Sequence, residues 1–467
     1  MSDVYVIHAS EDDIITGEIV TLLKKHWAVW WDDTLVGDFV KVVPQQIAKA
    51  KCAVAIMSAH SVVKETVIDE MRLARDAGVE ILPLMLDDAK LPYTYGSLTR
   101  VDFRLWDKTE GHPLFQKLLR KISTVIPRGV PTTRPPSVGN TSLSLPAVFL
   151  SVSSHETQLA PMDAVRALRV FGTPTVLVSA YDLWKERRPE GIEQELQAIR
   201  EADGIVLIDS GNYEATRRGD EEWVPERFHE ALDGIPHDWS YCFDVMEPSP
   251  DPATAAQEVI EAVRRDARAT GSHVLPIVHT HRTPTGFVTD QLPNVVKTVA
   301  EALTPPIIAV AERELGRGLI ERAETVQAIR RSLDLLPTYQ ALHCLGTGNP
   351  WSIALLAAAG ADSFDGLEWC RMAIDHATNR LNHYQHYDFF MYQTELSDSQ
   401  VTLAAIDDDR VGYAGKVAFH NLDYYRSFAA KLYEHAHTSR MEAFVLKTLG
   451  DGATNQITAQ LPGIFTK

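Results

Sequence analysis

The chain has 467 residues, of which 45% are hydrophobic and 23% charged, and a formal net charge of −18. That length accommodates two or three domains with full cores, and the composition excludes collagen-like and disordered chains. No run approaches the ~18 apolar residues that a membrane-spanning helix needs.

The charge is unevenly spread. Residues 147–467 carry 28 basic and 45 acidic residues, so this region is a poor general partner for phosphate backbones, which bind through basic neutralisation. Cys52, Cys242, Cys344 and Cys370 are scattered singly, a pattern that reads as reduced core thiols rather than a disulfide framework or zinc spacing. The opening residues enter a strand pattern directly, without a basic region and apolar core. A cytoplasmic protein with no membrane association is expected.

In chain order, strand-like apolar runs at Val4–Ile7, Ala28–Trp31, Cys52–Met57, Glu80–Leu84 and Val101–Phe103 alternate with helical patterns such as Ile14–Lys25 and Lys64–Ala77. This alternation predicts an α/β domain over residues 1–125, built on a five-stranded parallel sheet covered on both faces. A proline-rich segment at 126–146 reads as a semi-rigid linker. Eight further strand candidates follow: Val148–Val152, Thr175–Val178, Ile205–Ile208, Tyr241–Phe243, Val274–Val278, Ile307–Val310, Ala341–Leu345 and Ser363–Phe364. With helices between most of them, they predict a (β/α)₈ TIM barrel over 147–467 with extra carboxyl-terminal helices.

The segments Val4–Asp12 (VYVIHASED), Ala28–Asp33 (AVWWDD) with Gly37, and Ser58 to Glu70, in that order, resemble a bacterial TIR domain of flavodoxin-like fold. The resemblance implies an NAD⁺ glycohydrolase with Glu70 as its catalytic carboxylate, twelve residues after Ser58. It further implies NAD⁺ as substrate, self-association through TIR domains, and a role in signalling and bacterial antiphage defence. The loops holding His8, Ala9, Ser10, Trp31, Asp32 and Asp33 are expected to wall the dinucleotide site, with Trp30 or Trp31 available to stack. The family's tryptophan four residues before the glutamate is Thr66 here.

In the second region, Asp209–Tyr213 (DSGNY), Leu345–Pro350 (LGTGNP), Gly360–Asp365 (GADSFD) with Arg371, and His420–Leu422 (HNL) are similar to the queuine and archaeosine tRNA-guanine transglycosylases. The resemblance implies Asp365 as the nucleophile at ribose C1′ and Asp209 as acid/base. It also implies Tyr213, Asp244, His279, Gly346 and Gly348 around a base. His279 replaces the family's glutamine, and the Cys-x-Cys-x-x-Cys of the family's zinc site is absent. No zinc is expected, His376, His383 and His386 being the alternative source of ligands. The two resemblances together point to an NAD⁺-cleaving effector governed by a barrel that senses a nucleobase, nucleoside, tRNA or DNA. The alternative is a base-exchange enzyme on tRNA or DNA with the TIR half as an oligomerising adaptor.

Overall fold

A computed structural model describes residues 3–24, 27–31, 39–109, 112–126, 134–139 and 141–465. They form two compact units, one of residues 1–131 with 438–467 and the other of residues 132–437.

The first unit is a five-stranded parallel sheet, β1 (Val4–Ile7), β2 (Val29–Trp30), β3 (Cys52–Met57), β4 (Glu80–Met85) and β5 (Val101–Asp102), in the order β2-β1-β3-β4-β5. Helices α1 (Asp13–Leu23), α2 (Phe39–Lys49) and α3 (Glu65–Asp76) connect the first four strands, and α4 (Pro113–Val125) follows β5. Side chains alternate between the two faces of a strand. Val4 and Val6 therefore enter one core with Ile19, Leu23 and Phe115, whereas Tyr5 and Ile7 enter another with Ile47, Val67 and Met71. Tyr5 is thus committed to the α3 face.

The second unit is a parallel barrel of β6 (Ala147–Val152), β7 (Thr175–Ser179), β8 (Ile205–Asp209), β9 (Trp239–Tyr241), β10 (Val274–Leu275), β11 (Ile277–Val278), β12 (Ile307–Ala311), β13 (Ala341–Leu345) and β14 (Ser363–Gly366). Between β10 and β11 lies Pro276, which cannot donate to a ladder. β10 pairs with β9 and β11 with β12, so the two halves act as one interrupted strand, and β14 pairs with β6. Eight strand positions complete the ring.

Two sequence expectations need correction. The fourth barrel strand ends at Tyr241 instead of running to Phe243, because the Phe243 amide donates to the Asp266 carboxylate at 2.7 Å rather than to a neighbouring strand. The described part of the presumed linker belongs to the barrel: Val138, Leu143 and Leu145 are buried in the same core as Phe149, Leu207 and Tyr241. Arg134 is buried with them and donates to Asp362 at 2.6 Å, opposite Arg330, which donates to the other oxygen at 2.9 Å. Apolar side chains between the prolines carry the segment inward.

The carboxyl-terminal helices also divide. The 25-residue α5 (Tyr413–His437) belongs to the second unit, whereas α6 (Met441–Leu449) and α7 (Asp451–Gln460) belong to the first. Arg120 of α4, 4% exposed, donates to Asn455 and to Thr458. None of the described helices is long and apolar enough to cross a membrane.

Candidate functional site

In the first unit, the Ser58–Lys64 turn leaves the carboxyl end of β3. Its geometry is fixed by Ser58 Oγ donating to Asp12 at 2.7 Å and by Ser61 Oγ accepting the Ser58 amide at 2.6 Å. Glu70 follows about one and a half turns along α3. It is half-buried, and its Oε2 accepts the Tyr5 hydroxyl at 3.1 Å. The Tyr5 ring stacks on Trp30 with centroids 4.9 Å apart and an interplanar angle of 14°. A carboxylate, a phenol and an indole thus stand together on one face.

The expected wall residues do not all share that face. Trp31 packs against the opposite core and against His8, with ring centroids 5.4 Å apart, while His8 pairs with Asp13 at 2.9 Å. Trp30, not Trp31, therefore shares the Glu70 face, as the period of two along a strand requires. Ala9 is fully buried, and Ser10 accepts from Lys64 Nζ at 2.7 Å. Thr66, at the departing tryptophan position, is exposed. Asp32 and Asp33 lie outside the described residues.

In the second unit a cavity of about 240 Å³ is lined by Asp209, Tyr213, Asp244, His279, Gly346 and Asp365, which the sequence singled out. Gly348 lies behind this wall, where a Cβ would collide with the Glu368 carboxylate. Asp365 is held by three donors: Ser151 Oγ at 2.8 Å, the Gly346 amide at 2.8 Å and His343 Nε2 at 3.2 Å. Such preorganisation fixes one oxygen pair in place. Asp209 has a single weak donor, the Gly211 amide at 3.4 Å. Burial, with Glu214, Asp244 and Asp365 nearby, pushes its carboxyl well above the usual range. Gly211 is required here, because its φ is +77° and a Cβ would approach the Tyr181 amide to 2.6 Å.

His279 is clamped. Its Nε2 meets Asp244 at 2.6 Å and its Nδ1 meets Glu314 at 3.0 Å. Burial alone would lower its pKa, but the two carboxylates raise it to about 10, so both ring nitrogens carry protons at neutral pH. Burial likewise works against ionised Asp244, yet His279 and Asn212, the latter donating at 2.7 Å, hold it below the ordinary value. At the cavity mouth Arg313 and Arg217 lie over the Tyr213 ring at 4.9 and 5.2 Å.

Sequence reading missed Ser151, Glu214, Glu314 and Glu368. Ser151 was legible as a hydroxyl inside an apolar strand, and Glu314 as a second acid after Glu312. Glu214 and Glu368 look like ordinary helix carboxylates and gave no signal.

The residues at the family's zinc position do not fit a zinc ion. His420 Nε2 engages the Ile374 carbonyl at 2.6 Å and its Nδ1 engages Thr394 at 2.9 Å, with burial pushing its pKa down to about 3. His376 stacks on it at 4.1 Å, and Cys370 donates to the Leu367 carbonyl. Ring stacking and backbone hydrogen bonds occupy the atoms that would bind metal. His383 and His386 face each other at 5.5 Å, apart from this pair, and among the described residues no group of three or more His, Cys, Asp or Glu is placed to hold a metal ion.

Residues 4–119 match the TIR domain family. The chain is also similar to the tRNA-guanine(15) transglycosylase of Archaeoglobus fulgidus, 26% identical over 226 residues that make up 46% of this chain and 45% of the relative. The corresponding transglycosylase of Methanopyrus kandleri is 25% identical over 240 residues, half of each chain. The chain thus spans about half the length of the curated relatives it matches. With the geometry described above, these similarities make the chain a fusion of a TIR domain with a tRNA-guanine transglycosylase-like barrel.

Proposed function

We propose that the TIR unit cleaves NAD⁺ to nicotinamide and ADP-ribose, linear or cyclic, and that the barrel governs this activity by binding a nucleobase, nucleoside or nucleic acid. The observation that carries the reading is Glu70, half-buried and oriented by Tyr5 beside the stacked Trp30. Departure of nicotinamide leaves an oxocarbenium-like ribose, which an adjacent carboxylate stabilises. Nicotinamide is a neutral leaving group once the bond to the cationic ring breaks, so no acid is needed. Glu70 holds the ribose, Tyr5 fixes Glu70, and Trp30 offers an aromatic surface.

The test is NAD⁺ turnover by the full chain and by Glu70→Gln, with and without added tRNA, DNA and free purines. Turnover abolished in Glu70→Gln supports the reading; equal turnover in both proteins refutes it. A role in antiphage defence in the cytoplasm, through self-associated TIR units, is part of the same proposal. It is checked by plaque formation on cells expressing either protein.

A second reading, base exchange on tRNA or DNA, is favoured by the ordered Asp365 carboxylate beside Asp209, whose carboxyl burial and the neighbouring carboxylates push well above its usual range. Asp365 would attack C1′ and Asp209 would protonate the departing base. A covalent adduct with labelled nucleic acid, lost in Asp365→Asn, would establish it.

A further inference from the structure

We infer that the barrel cavity selects a nucleobase-sized heterocycle whose buried edge carries amino groups instead of a carbonyl, and that His279 sets this choice by committing its N–H groups to Asp244 and Glu314. The inference rests on the reading of the barrel as a base sensor.

The argument is an inventory of donors and acceptors. On the His279 wall, both imidazole nitrogens face carboxylates at 2.6 and 3.0 Å. Beside them the Asn212 amide donates to Asp244 at 2.7 Å, and the Thr280 amide donates to Glu314 at 2.9 Å. Across the cavity the Gly346 amide and the Ser151 hydroxyl are both spent on Asp365. Ser153 donates to one oxygen of Glu214, whereas the other oxygen has no partner although Glu214 is only 6% exposed. Asp209 has its one long contact with Gly211. At the rim, Arg313 already faces Glu314 at 3.7 Å and the Tyr213 ring.

Apart from the Ser179 hydroxyl, which lines the cavity without a partner, these walls therefore have acceptors in excess. A buried carbonyl placed against them would meet oxygen lone pairs and lose its hydrogen bonds to water without replacement. Amino groups would be accepted by Asp209 and Asp244 together and offset the burial and neighbouring negative charge that raise the Asp209 carboxyl. A site built to hydrogen-bond one edge rejects the analogue that cannot complete the pairing.

The test is calorimetric titration of the full chain with 2,6-diaminopurine, adenine, guanine and hypoxanthine, each as free base and as riboside, the two forms distinguishing a base ligand from a nucleoside. The amino purines are expected to bind at least tenfold more tightly than guanine and hypoxanthine. His279→Gln, whose neutral amide brings an uncommitted N–H, should narrow that gap at least threefold. Should His279→Gln not fold, Asp209→Asn, which exchanges an acceptor for a donor, must narrow it likewise. Guanine binding as tightly as 2,6-diaminopurine overturns the inference while leaving the sensor reading intact. Binding of none of the bases or ribosides overturns both.

Discussion

The Tyr5 hydroxyl, on β1, donates to the Glu70 carboxylate, on α3, at 3.1 Å, although the two residues lie 65 positions apart in sequence. Hydrogen bonds to charged groups contribute about 1.5–3 kcal/mol. Tyr5→Phe should therefore lower kcat for NAD⁺ cleavage by about 10- to 100-fold with little change in KM, as expected for a group that orients the reacting carboxylate. Glu70→Gln should lower it further. Steady-state nicotinamide release measures both, and an unchanged kcat in Tyr5→Phe would detach this contact from the chemistry.

The clamped imidazole predicts a pH dependence of stability. His279 has its folded pKa raised from 6.5 to about 10. A group with a raised folded pKa contributes stability that is complete below the unfolded value and is lost as pH rises through the folded one. Melting temperature should thus decline between about pH 6.5 and 10, and more steeply in the native chain than in His279→Gln. Asp244 is shifted the other way, so its contribution is present above its ordinary 3.8 and fades as the solution is acidified below that value. Thermal scans from about pH 2 to 10 test both signs.

Asp362 lies fully buried between Arg134 and Arg330, and also accepts from Tyr339 Oη at 2.6 Å and the Leu342 amide at 2.9 Å. Removing one partner of a buried ion pair costs about 3–5 kcal/mol because the other charge is left uncompensated. Asp362→Asn should lose stability on that scale in urea unfolding, whereas substitution of the exposed Asp398–Arg426 pair should cost under ~1 kcal/mol.

Arg120→Ala should destabilise the first unit by about 1–3 kcal/mol, since Asn455 and Thr458 lose their donor. Deletion of everything after His437 should go further and expose the first unit to protease while the barrel remains resistant. Limited proteolysis with mass mapping reads out the difference.

Much of the architecture was legible because its signals are local. Uninterrupted apolar runs such as Cys52–Met57 and Ala341–Leu345 became strands with those bounds, and the polar residues at their carboxyl ends converged on a cavity as barrel geometry requires. The misreadings arose where long-range partners decide. Trp30 and Trp31 are indistinguishable until the register with β1 assigns each to a face. The end of β9 depends on Asp266, which lies more than twenty residues away. The commitment of His279 depends on Glu314, which sequence alone gave no reason to pair with it. Composition around Arg134 suggested a spacer because proline density says nothing of what Val138, Leu143 and Leu145 will pack against.

The return of residues 438–467 to the first unit has a topological consequence. The barrel is an insertion within the chain of the TIR unit, entered near residue 131 and left at 437. A single nick at the entry leaves the fragments linked by α6 and α7 packed in the first unit, and a nick at the exit leaves the amino-terminal connection intact. Neither cut releases a free TIR fragment until denaturant is added.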